Sequence, residues 1–188
     1  MGDDKKKGGI GIGKILIYGV LLIAACGAGL FIYGNSIPEE HMASTSVEVE
    51  RWPIACYEAV ADPQNVPKWS SMVKEVKDFK KDGDKLTYTE IVDGNMELIT
   101  TQTNGFKPNS ITIEVRESKD MFTGKWTFKF EEVTKGDKKF TKVTLTEIGK
   151  TPNAFWRAIG SFMQNPDDGV KRYLADLKKH VESQKPGT

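Results

Sequence analysis

The chain has 188 residues, 38% of them hydrophobic and 28% charged, the composition of one folded domain with a short appendage and not of a disordered chain. Twenty-seven basic against twenty-six acidic residues leave a net charge of +1, which excludes an electrostatic nucleic-acid binder, since that needs a basic surplus to displace counterions from phosphate. Two cysteines and two histidines are too few for a disulfide framework or a Cys/His zinc site, and no metal or cofactor is expected.

In chain order, the first feature is an apolar run. From Ile15 to Tyr33 the residues read ILIYGVLLIAACGAGLFIY, without charge or proline. As a helix this run is about 28 Å long, close to the roughly 30 Å hydrocarbon core of a bilayer. Lys5, Lys6, Lys7 and Lys14 precede it, while Glu39 and Glu40 follow, with no Lys or Arg before Arg51. The positive-inside rule therefore expects residues 1–14 in the cytoplasm, 15–33 as a single-pass anchor in the cytoplasmic membrane, and the remainder on the periplasmic or extracytoplasmic face, given a bacterial source.

Three other readings of this run compete with an anchor, one of them a buried core helix, against which the missing polar face counts. A cleaved secretory signal has a shorter apolar core, of about 7–15 residues. Ile23-Ala24-Ala25-Cys26 resembles a lipobox, whose cysteine would carry a lipid, although the residues after Cys26 stay apolar where a lipoprotein continues into a polar tether. Both surviving versions tie the chain to a membrane. Other motifs dissolve. Gly8–Lys14 is one residue short of a phosphate-binding loop, with Ile15 where Ser or Thr must stand, and Lys6 occupies the position where myristoylation after Gly2 wants Ser or Thr. Ala25 and Gly29 form a small-xxx-small pair of the kind that lets helices pack, common enough that it leaves the oligomeric state open.

Residues 34–44 are expected to be a connector and 45–184 a single domain, with 185–188 a tail. Ser46–Glu50 alternates at strand period, and Ile54, Tyr57 and Val60 recur at helical spacing within Pro53–Ala61. Asp62-Pro63 ends that helix, and a second short one is expected around Val66–Met72. Turn signals then separate six alternating runs near Val73–Phe79, Leu86–Val92, Met96–Thr103, Ile111–Glu117, Phe122–Val133 and Phe140–Ile148. Short turns between alternating runs predict an antiparallel meander with one buried face. From Thr151-Pro152 onward a long helical region is expected, with Asn165-Pro166 repeating the start signal midway. Phe155, Ile159, Phe162, Val170, Leu174, Leu177 and Val181 fall on one stripe. The expected fold is α+β, a curved sheet of six to seven strands gripping a long C-terminal helix.

This order resembles the START-like, helix-grip superfamily, in particular the polyketide cyclase/dehydrase and lipid-transport (SRPBCC) group. The resemblance covers about Ser44–Ser183. It is carried by the strand running into Pro53–Asp62, by Pro67-Lys68-Trp69 ahead of Met72-Val73, and by Tyr173-Leu174-Ala175-Asp176-Leu177-Lys178 at the end. It implies a cavity between sheet and long helix that accepts a hydrophobic molecule, and it leaves room for cyclase or dehydratase chemistry.

One helix cannot fill a curved sheet of this size, so bulky side chains or a ligand must occupy the remaining volume. Trp69, Met72, Tyr88, Met96, Trp126, Phe128, Phe155, Phe162 and Met163 are expected to face inward, with Tyr88 and Gln102 able to orient a polar head. Each of them also fits an ordinary core role. Glu90, beside Tyr88, is the one plausible general base; a salt-bridged or solvent-facing glutamate is the competing reading. His41 and His180 are expected far from the cavity, so no Ser/His/Asp or Cys/His arrangement forms. Cys56 reads as a small buried hydrophobe. Lys74, Lys77, Lys80, Lys81 and Lys85 cluster around one turn and Lys135, Lys138, Lys139 and Lys142 around another, either against anionic headgroups or as solvated strand edges.

Three functions follow as expectations. The first is a membrane-anchored binding module for a lipid or other hydrophobic small molecule. The second is an enzyme in the same cavity, using Glu90 and Tyr88. The third is a membrane scaffold.

Overall fold

The computed structural model describes residues 12–163 and 166–184. The N-terminal apolar run forms one helix, α1, over Ile12–Ser36; Lys5, Lys6 and Lys7 lie outside the described residues. Within Gly13–Ser36 an 18-residue stretch has a mean hydropathy of 2.5, and none of that stretch is buried against the rest of the protein. A 24-residue helix of this composition is long enough to cross a bilayer, at about 1.5 Å per residue.

Seven strands follow: β1 Glu40–Val49, β2 Val73–Asp82, β3 Lys85–Val92, β4 Met96–Asn104, β5 Ser110–Glu117, β6 Thr123–Lys135 and β7 Lys138–Lys150. They make one antiparallel sheet in the order β1-β7-β6-β5-β4-β3-β2. The meander expected from alternation and turn signals is present. The connector is shorter than expected, because α1 continues to Ser36 and β1 opens at Glu40.

Between β1 and β2 the chain forms α2, Pro53–Ala61, with proline in its first turn and Cys56, Tyr57 and Val60 buried. A 3-10 turn over Pro63–Lys68 follows directly, earlier and tighter than the short helix expected around Val66–Met72. Pro67 in its last turn removes a backbone donor and prevents α-helical continuation.

The long C-terminal helix is two helices, α3 over Ala154–Met163 and α4 over Pro166–Ser183. Asn153, and not Thr151, caps α3: its Oδ1 accepts from the amides of Phe155 (2.9 Å) and Trp156 (3.4 Å). Pro166 opens α4, with Asp167 and Asp168 favourably placed in its positive first turn. Along α4, Val170, Tyr173, Leu174, Leu177 and Val181 are buried. They meet Val49 of β1, Ile111 and Ile113 of β5, Phe128 and Phe130 of β6, and Val143 and Leu145 of β7 in one hydrophobic core.

Register gives the sheet two distinct ends. Glu40 pairs with Lys150, Lys150 with Thr123, Thr123 with Arg116, and Val92 with both Met96 and Val73. One end therefore carries the junctions to α1 and α3 together with the β3–β4 and β5–β6 turns. The Lys135–Lys138 hairpin lies at the opposite end.

Candidate ligand-binding site

The inner face of the sheet and α4 enclose an aromatic cluster centred on Tyr173. Its ring meets Trp69 and Trp126 edge to face, each at 5.2 Å between centroids, and lies 5.7 Å from Phe128. Phe128 in turn stacks on Phe130 at 6.2 Å. Phe128 is fully buried, whereas Trp69, Met72 and Trp126 are partly exposed and pack against the core edge. The indole Nε1 of Trp69 is buried without a hydrogen-bond partner. Gly169 of α4 faces Met72, so that a β-carbon there would stand 3.8 Å from the Met72 methyl. Met96 sits half-buried at the rim, where β4 starts opposite Val92.

Beside the aromatics lies a polar group of unusual character. Tyr88 is buried and its hydroxyl donates to Gln102 Oε1 at 3.0 Å. Gln102 Nε2 donates to the carbonyls of Val60 (3.4 Å) and Ala61 (3.2 Å) and to Asn104 Oδ1 (2.8 Å). Gln102 is thus committed to holding the end of α2, and its amide has no donor left over for a ligand head. Glu90 lies two residues after Tyr88, on the same face of β3. Burial alone pushes its carboxyl up to about 7, and no hydrogen bond or ion pair engages it among the described residues. Tyr88 and Tyr173 are both raised well above 10, first by burial and next by the neighbouring Glu90. A carboxyl flanked by two phenols, poised to hold or release a proton near neutrality, is chemically capable of acid–base work.

The histidines are nearer than sequence reasoning placed them. His41 lies on the inner face of β1, where its ring occupies the space that a β-carbon on Gly149 would need, 2.1 Å from Cε1. Its Nε2 is 3.9 Å from Glu147 Oε1. Burial raises Glu147, while hydrogen bonds from Trp126 and attraction to His41 pull it back down. His180 stacks on Trp69 at 5.7 Å, and burial lowers its pKa. Residues 34–44 read as a connector, with strand alternation only from Ser46, whereas β1 opens at Glu40 and so brings His41 inside.

Two of the expected lining residues are elsewhere. Phe155 and Phe162 are 39% and 71% exposed, on α3 beside α1. The cause is the break before Pro166, which separates α3 from the helix that the sheet grips. The Met163 side chain lies outside the described residues. Tyr173, the hub of the cluster, escaped sequence reasoning although it stands three residues after Val170 on the α4 stripe. Two surface clefts lie elsewhere as well. One of about 500 Å³ runs along Tyr57, Asp62, Asp84 and Lys107, and one of about 570 Å³ crosses the outer sheet face at Ile99, Thr101, Arg116 and Lys125.

No family model and no curated protein sequence matches this chain. Solved structures do. The di-domain ARO/CYC BexL from the BE-7585A biosynthetic pathway superposes with a TM-score of 0.63 at 11% identity, over 80% of this chain and 53% of that one; this chain spans about half its length. The Zhui aromatase/cyclase from Streptomyces sp. R1128 superposes at 0.57 and 14% identity, over 76% and 94%. A START superfamily protein from Mycobacterium smegmatis superposes at 0.54 and 19% identity, over 76% and 97%. The fold is START-like. At these identities the START-like match concerns architecture, and the chemistry rests on this chain's own residues. Beneath α4 of this chain, Trp69 and Trp126 meet Tyr173, and Glu90 lies near enough to raise its pKa.

Proposed function

We propose that this chain is a membrane-anchored START-like binding module for a lipid or other hydrophobic small molecule. In this reading α1 spans the cytoplasmic membrane with the N-terminus in the cytoplasm and the domain on the extracytoplasmic side. The ligand lies between sheet and α4. The observation that carries the reading is the half-buried apolar rim of Met72, Val92, Met96 and Trp126 at the end of the sheet where α1 joins. Methionine and aromatic side chains re-pack readily, so rotation of Trp69 and Tyr173 opens room along the helix. Each Å² of apolar ligand surface buried there contributes about 25 cal/mol, and the tether keeps the rim close to its source.

The test uses the full chain in phosphatidylcholine vesicles doped with a diazirine-bearing phosphatidylcholine. Irradiation should cross-link lipid to peptides containing Met72, Met96 and Tyr173 as well as to α1. Cross-links confined to α1 and α3 would overturn the lipid as cargo.

Glu90 favours a second reading, acid–base catalysis on the bound molecule. Its carboxyl is near half-protonated at neutral pH and so can take or give a proton at a ligand atom within reach. Mass spectrometry of the co-purified molecule decides this. Conversion by the unmodified chain but not by Glu90→Gln supports a reaction, and an unchanged molecule with both overturns it.

A further inference from the structure

α3 is built the wrong way round for a helix in water. Its apolar residues Phe155, Ile159 and Phe162 share one face, with Trp156 at its edge. Most of that face points away from the protein: Phe155 is 39%, Trp156 41% and Phe162 71% exposed, while Ile159 is half-buried. The side turned to the protein holds Ala154, Arg157 and Ala158, all buried. A charged residue inside and aromatics outside invert the arrangement that α4 shows.

What α3 packs against is the end of α1. Gly34 approaches so closely that a β-carbon on it would stand 1.8 Å from the Ala154 carbonyl oxygen. Arg157 Nε donates to the Gly34 carbonyl at 2.9 Å, and its Nη1 donates to the carbonyls of Thr151 (3.0 Å) and Pro152 (2.6 Å). Arg157 thereby satisfies a carbonyl in the last turn of α1, at the negative end of the helix. Glu39 stands 3.6 Å from the same guanidinium. The rings of Tyr33 and Phe162 lie 5.5 Å apart. Tyr33 and Gly34 are two to three residues before the end of α1, about 3–5 Å along its axis. The bilayer's polar boundary layer is about 5–8 Å deep on each side, so an α1 that crosses a bilayer would hold α3 at the depth of that layer.

We propose that α3 lies in the boundary layer of the membrane that α1 crosses, with Phe155, Trp156, Ile159 and Phe162 against lipid. This rests on the anchor reading of α1. The exposed apolar surface of α1 meets this face where Tyr33 packs against Phe162, and Phe155, Trp156 and Phe162 are the aromatic types that favour the membrane–water boundary. The rim of the candidate site is at the same end of the sheet, so α3 would hold that rim at a set height over the bilayer.

The experiment places nitroxide labels on the full chain in vesicles of phosphatidylcholine and phosphatidylglycerol, and compares collisions with oxygen, which concentrates in lipid, against a water-soluble nickel chelate. Native Cys26 reports on α1, since Cys56 is fully buried. In a Cys26→Ala background, Phe162→Cys and, as a second site, Phe155→Cys report on α3, with Asp137→Cys at the far hairpin as the aqueous reference. The expected result is an oxygen-to-nickel ratio severalfold higher at 26, 155 and 162 than at 137. A high ratio at 26 with values at 155 and 162 equal to that at 137 overturns the seating of α3 and leaves the anchor. An aqueous value at 26 overturns both. Labels at 155 and 162 shielded from both reagents would show a protein partner or second copy on the face, and also overturn it.

Discussion

α3 and α4 are neighbours in sequence and both are amphipathic, yet they solve opposite problems. α4 turns Val170, Leu174, Leu177 and Val181 into the sheet and leaves Lys171 and Lys179 in solvent. α3 buries Ala154, Arg157 and Ala158 against α1 and leaves its aromatics outside. A stripe of apolar residues thus specifies a helix and a face but not the medium that face meets. Here the medium is set by what lies beside the helix: a curved sheet for α4, an apolar 25-residue helix for α3.

Substitutions on the two helices should therefore differ most. Leu177→Ala, at a fully buried position, should cost about 2–5 kcal/mol in chemical unfolding of the domain. Phe162→Ala should cost no more than about 0.5 kcal/mol in the same assay, because its ring adds little to the core. Equal losses would show that the α3 face is packed on protein. Arg157→Met tests the joint between α3 and α1. It removes charge-assisted bonds to three carbonyls, each worth about 1.5–3 kcal/mol, and should expose the 151–163 segment to protease while α4 stays protected; Arg157→Lys should recover part of the protection.

The interior makes a pH-dependent prediction. Glu90 binds its proton more tightly folded, at about 7, than unfolded, near 4.5. The stabilisation it gives is full below about 4.5 and is lost as pH rises through 7. By pH 8 the loss is up to about 3 kcal/mol at 1.36 kcal/mol per unit. Glu90→Gln should flatten the melting temperature between pH 5 and 8; an unchanged slope would mean that Glu90 is not held apart from solvent. The smallest effect is expected at the far hairpin, where Lys135 pairs with Glu48 and Lys139 with Glu132 in solvent. Lys135→Ala should change stability by about 0–1 kcal/mol and leave vesicle association unaffected, since that hairpin is at the end of the sheet away from α1.

The sheet was legible in the sequence because alternation along Ile111/Ile113/Val115 and Trp126/Phe128/Phe130 has one physical cause, a half-buried pleated surface. The α2 boundaries were legible because Pro53 and Asp62-Pro63 act locally. What escaped depended on long-range neighbours. The inward turn of His41 follows from pairing with Gly149, over a hundred residues away. The centrality of Tyr173 needs Trp69 and Trp126 brought to it from two other elements. The stripe from Phe155 to Val181 was read as continuous because periodicity passes over the break at Pro166 without registering it. Glu90 was named from its parity beside Tyr88, and the lack of an ion-pair partner for it among the described residues became visible only in three dimensions.

The most direct test of the whole account is native mass spectrometry of the full chain, extracted in a mild detergent from the membranes of its own host. A bound molecule of discrete mass, removed by organic extraction and much reduced in a Met72→Asp/Met96→Asp variant that melts as the unmodified chain does, is the predicted result. An unliganded mass in every preparation, unchanged after incubation with host lipids, would contradict the account and leave α4 as the filled core of a domain with no cargo.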